Sequence, residues 1–97
     1  MPFAIIAFDK PGSQALRTAL KPAHLVYLTT RQAMMLAGGA LLDDSGDSIG
    51  GLIVVDTDDL QAAQLFASED PFNSGQLFAS VQVVPWRMSF FDRQRTR

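Results

Sequence analysis

The chain has no cysteine, and only one histidine, one tyrosine and one tryptophan among its 97 residues. Without cysteine there is no disulfide, no thiolate nucleophile and no Cys-ligated zinc or iron–sulfur centre. A single histidine cannot build a multi-histidine metal site, and no carboxylate spacing supports a metal held by acids alone. Positive charge is not in excess either. The net charge of −2 argues against a nucleic-acid partner. No apolar run reaches the length of a membrane span. The first residues, Met1 to Asp9, lack a basic start and meet an acid early, so they read as a strand and not as a secretory leader. These absences fit a cytoplasmic protein with no membrane partner. What is present is apolar: 47% of the residues are hydrophobic, enough for one domain with one core.

Phe3 to Phe8 is a short run of β-formers closed by the turn signal Asp9-Lys10-Pro11-Gly12, which predicts a buried first strand. Ser13 can cap a helix that carries Leu16 and Leu20 at i, i+4. Pro22 is expected to break it and to open a longer helix running to about Leu36. Gly38-Gly39 is expected to end that helix. Ala40-Leu41-Leu42 then begins or forms a second strand, Asp43 to Asp47 a hairpin loop, and Ile49 to Val55 a third strand antiparallel to the second. The loop lacks the later glutamate and flanking helix of a calcium site. Gly50-Gly51 lacks the lysine and following helix of a phosphate loop and points to a bulge or a close backbone approach. Asp58, with Gln61 three residues on, predicts a capped second helix with Leu60, Ala63, Phe66 and Ala67 buried. Asp70-Pro71 ends it. Leu77 to Trp86 is the fourth strand, with Val81, Val83 and Pro85 on one face and Phe78 on the other. Arg87, Arg93, Arg95 and Arg97 crowd the end of the chain beside Phe90 and Phe91. A solvated, fraying tail is the simpler reading of that stretch, ahead of an anion-binding arm.

The order β-α-β-β-α-β predicts an α+β, ferredoxin-like fold: a four-stranded antiparallel sheet with both helices on one face. The other sheet face is too apolar to stand bare. It predicts a homodimer with the two sheets face to face.

Candidate chemistry centres on Lys21-Pro22-Ala23-His24-Leu25-Val26-Tyr27-Leu28. With Pro22 at the first helical position, His24 falls in the first turn. There the macrodipole favours neutral imidazole, which can accept a proton. Taken alone, His24 serves equally well as an edge histidine bonded to backbone. Arg17 and Arg31 are candidates for gripping an anion, with a solvated helix face as the alternative, preferred for Arg31. Tyr27 and Trp86 can line an aromatic pocket, or serve as core or dimer interface.

Ala-Phe-Asp-Lys near the start, Leu-Arg followed by Pro-Ala-His-Leu, Ala-Gly-Gly, a Gly-Gly strand entry, Glu-Asp-Pro-Phe and Val-Val-Pro-Trp occur in this order. Together they resemble the YciI-like (YCII-related domain) family over residues 3 to 87. The expected division is one domain over 1–87 and a tail over 88–97. The resemblance implies a dimeric α+β barrel, the fold of muconolactone-isomerase-like proteins, and a site built on a His–Asp pair. Carried over, the pair is His24 and Asp70. The expected function is then cofactor-independent proton transfer on a small, ring-derived or carboxylated molecule, of lyase, isomerase or dehalogenase type. Arg17, Tyr27 and Trp86 are the expected substrate contacts. The alternative is a dimeric small-ligand-binding protein without catalysis.

Overall fold

The computed structural model describes residues 1–97. Strand β1 (Phe3–Asp9) leads to helix α1 (Gln14–Thr30), a 3₁₀ turn (Gln32–Met34), β2 (Met35–Leu42) and β3 (Ser48–Val55). Helix α2 (Leu60–Glu69), a one-turn helix α3 (Pro71–Ser74) and β4 (Phe78–Pro85) complete the domain. The sheet order is β2-β3-β1-β4, all antiparallel. This is the expected ferredoxin-like arrangement. Its core joins Ile5, Ile53 and Val55 of the sheet to Tyr27, Phe66 and Ala67 of the helices, with Val81 and Val83 packed alongside. The opposite face carries Phe8, Leu52 and Val84, all exposed.

Helix α1 departs from expectation. It runs unbroken through Pro22, its ninth residue. Proline removes the hydrogen bond to the Thr18 carbonyl there, yet both halves are anchored by packing. Leu20 lies over Gly75, and Tyr27 and Leu28 belong to the core. His24 therefore sits mid-helix, and a first-turn macrodipole does not act on it. The helix also stops at Thr30, short of Leu36. The Thr30 hydroxyl donates to the Tyr27 carbonyl, and the Arg31 N–H donates to Leu28 O. The β-branched pair Thr29-Thr30 was the stop signal. Gly38-Gly39 lies inside β2 instead.

Two smaller differences are one-residue changes of register. Asp59, not Asp58, caps α2, its carboxylate accepting the Gln61 N–H at 2.9 Å. Leu60 is consequently exposed. On β4, Phe8 pairs with Ser80 but Asp9 pairs with Phe78, so Ala79 is an extra residue, a β-bulge. The bulge turns Phe78 onto the helix-covered face, the reverse of the alternation read from sequence. The C-terminal stretch forms a two-residue hairpin, β5 (Phe90–Phe91) with β6 (Gln94–Arg95). Asp92 and Arg93 make its turn at positive φ, the geometry of a primed hairpin turn.

The close backbone approach expected at Gly50-Gly51 is at Gly50. A Cβ there would lie 2.2 Å from the Ala7 carbonyl oxygen, so β1 and β3 can pair only around glycine. Gly50→Ala should cost about 2–3 kcal/mol of stability, read as a lower urea midpoint with an unchanged m-value.

Candidate active site

Helix α1 places Arg17, Lys21, His24, Leu25 and Leu28 over the sheet, at i, i+4, i+7, i+8 and i+11, so they share one face. Beneath them the small residues Ala7, Ala40 and Gly51 form the floor, flanked by Ile5, Met35 and Ile53, and the Met35 side chain covers Gly38. Ala7 and Gly51 pair directly across β1 and β3, and Ala40 pairs with Gly51. The space above this floor is a cavity of about 260 Å³. Phe66, Phe72, Phe78 and Val81 form much of its apolar wall. The bulge at Ala79 puts Phe78 in that wall.

Asp70 enters from the junction of α2 and α3. Pro71 holds it extended, at φ −60° and ψ 126°, so its side chain caps α3. Asp70 Oδ1 accepts the Phe72 N–H at 2.9 Å and faces His24 Nδ1 at 2.7 Å. The imidazole stacks on the Phe72 ring with centroids 3.8 Å apart and planes 13° from parallel. Both side chains are largely buried, at 14% exposure for His24 and 5% for Asp70. A carboxylate only accepts, so the proton between the pair is assigned to Nδ1. In a neutral ring Nε2 then keeps its lone pair.

Arg17 is the second polar cluster. Its Nε and Nη2 donate to the two Asp9 carboxylate oxygens at 2.7 and 3.3 Å, and Nη2 also donates to Gly50 O at 2.8 Å. Its guanidinium carbon is 4.7 Å from the centre of the Phe72 ring. No buried side-chain nitrogen or oxygen lacks a hydrogen-bond partner. His24 Nε2, Asp70 Oδ2 and Arg17 Nη1 have no protein partner, so each is open to solvent, and all three residues line the cavity.

The structure thus brings His24, Asp70 and Arg17 together. It does not bring Tyr27 or Trp86 to them. Tyr27 is core: its hydroxyl donates to Phe66 O at 2.7 Å and Arg31 lies over its ring. Trp86 follows Pro85, which pairs with Phe3, whereas the cavity lies toward Asp9 and Phe78 at the other end of the same ladder. Reasoning from the residues overlooked Phe72 and Asp9. The residues themselves were visible, in the Asp-Pro-Phe motif and in the acid that closes β1, but not the contacts they make.

A model of the YCII-related domain family matches residues 1–87. The chain belongs to that family. This YCII-related chain is also similar to a solved structure of 5-chloro-2-hydroxyhydroquinone dehydrochlorinase (TftG) from Burkholderia phenoliruptrix AC1100, in complex with 2,5-dihydroxybenzoquinone. The identity is 32% and the TM-score 0.82, over 90% of this chain and 94% of that one. No curated protein matches.

Burial raises the Tyr27 phenol above its ordinary value near 10, while Arg31 pulls the other way. In the unfolded chain it ionises near 10. The stability this group contributes is therefore complete below about pH 10 and is lost as pH rises through the folded value. Because Tyr27 is the sole tyrosine, tyrosinate absorbance should give a higher midpoint in the folded protein than in urea. Stability should fall as the pH is raised beyond about 10.

Proposed function

We propose that this YCII-related protein is a cofactor-independent lyase that removes a hydrogen halide from a small hydroxylated ring, with His24 as general base and Asp70 as its partner. One observation carries the reading. The Nδ1 edge of His24 is held by a buried carboxylate at 2.7 Å, while Nε2 has no protein partner and the residue lines an aromatic-walled cavity. The dehydrochlorinase at 32% identity supports the same reaction type.

The chemistry needs one group that both takes and returns a proton. Halide does not leave an aromatic carbon directly, so that carbon must first become tetrahedral. His24 Nε2 accepts a proton from a ring hydroxyl and returns it to the halogen-bearing carbon, giving a keto tautomer. The hydroxyl para to the new carbonyl then gives its proton to the neutral imidazole, and its electron pair moves through the adjacent double bond to expel halide. The products are a quinone and HX. The ring is oxidised as the C–X carbon becomes C–H, so no outside oxidant is needed. Asp70 stabilises the imidazolium formed between the two transfers. The apolar wall excludes water and strengthens that attraction.

We further propose that the exposed sheet face, with Phe8, Leu52 and Val84, packs against a second copy. An apolar strip of this kind on a free monomer is a liability. Sedimentation should give a dimer, and Leu52→Glu should shift it to monomer.

The test of catalysis is His24→Asn, whose amide can still donate to Asp70 but has no basic nitrogen. Halide release from 5-chloro-2-hydroxyhydroquinone should fall by about 10²–10⁴-fold, with ring affinity retained. Wild-type protein that binds the ring but releases no halide would show a non-catalytic binder instead.

A further inference from the structure

The proposed reaction uses His24 Nε2 and leaves Arg17 Nη1 without a task. Arg17 and Asp9 are a desolvated ion pair, at 11% and 7% side-chain exposure. Such a pair is a weak way to fasten α1 to β1, because desolvation offsets most of the attraction and apolar contact serves as well. What an apolar contact cannot supply is a fixed guanidinium at the cavity wall with Nη1 left free of protein partners. Three hydrogen bonds, two to Asp9 and one to Gly50 O, set the plane of the guanidinium. The Phe72 ring flanks it.

Arg17 and His24 stand two turns apart on α1, about 10 Å along its axis. Phe72 touches both, with its ring centre 4.7 Å from the guanidinium carbon and 3.8 Å from the imidazole centre. Phe72 thus bridges the two polar groups, and all three residues line the same cavity. Lys21, between them on the same helix face, adds positive potential to the cavity wall.

We propose that Arg17 Nη1 binds an ionised ring oxygen on the edge of the substrate remote from His24, with Asp9 as its positioning residue. This rests on the lyase reading and narrows its substrate class to planar rings with oxygen on opposite edges, one of them ionised. An oxyanion held there keeps the ring electron-rich. That favours protonation at ring carbon and then expulsion of halide.

The probe is 2,5-dihydroxybenzoquinone, a vinylogous acid that is an anion at neutral pH, with hydroquinone as the neutral comparison, both titrated by calorimetry. In Arg17→Lys the ammonium can keep Asp9 paired but presents no second edge to the cavity. The anion should bind about 10- to 100-fold more weakly than to wild type, and hydroquinone within about twofold. Asp9→Asn should lose less, since Arg17 keeps its charge but not its fixed plane. Should Arg17→Lys not fold, the double variant Asp9→Asn with Arg17→Gln keeps a neutral hydrogen-bonded pair and is read the same way. Equal affinity of a folded variant and wild type for the anion overturns the proposal. So does wild-type protein that binds the anion no better than hydroquinone. Full turnover in His24→Asn beside a loss of anion binding in Arg17→Lys would remove the base and leave the oxyanion site standing.

Discussion

One carboxylate oxygen ties the candidate site to the fold. Asp70 Oδ1 accepts from the Phe72 backbone and from His24, so the end of α2, the start of α3 and the middle of α1 meet on a single atom. Phe72 closes the loop by stacking on the imidazole it helps to place. The backbone bond caps α3, and the side-chain bond orients the base. Removing the carboxylate would orphan both donors, each nearly buried, and an unmade buried hydrogen bond costs more than a made one contributes. Folding and the orientation of His24 are thus one event here. A chain that has docked α3 against α1 has already set the tautomer of its histidine.

The fold was legible because its signals are local and redundant. Strand runs, turn residues and one helix stop at a proline all agreed, and the order of elements followed. Register was the weak point. The sequence around Asp58 and Asp59 offers two caps one residue apart, and nothing local chooses between them. The bulge at Ala79 has no signature in Phe78-Ala79-Ser80, because it is set by how β4 meets β1. Pro22 misled for the opposite reason. Its local preference is strong, and packing on both sides of it is stronger.

The site was legible in part. His24 stood out by being alone, and Asp70 came through the family motif, not through its own chemistry. Asp-Pro turns are common, and nothing local singles Asp70 out. Tyr27 had the right residue type but faces Phe66 and the core. Trp86 lies on the right strand at the wrong end. Phe72 and Asp9 were missed because their parts arise only in three dimensions. One is a ring placed between two side chains of a helix, the other a turn acid that becomes a guanidinium's anchor.

The cavity divides labour between two layers. Every group with chemistry to offer sits on α1, on the α2–α3 junction or at the end of β1. The floor of the space is set below them by Ala7, Ala40 and Gly51, whose contribution is their small size. A methyl group added at Gly51 meets only the Gly39 carbonyl oxygen, at 3.6 Å, and it would shorten the cavity without touching the imidazole or the guanidinium. Substrate size and reaction type are therefore separate variables in this architecture. Under the proposed reaction, the sheet can be retuned for a larger or smaller ring while the groups of the helix layer stay where they are.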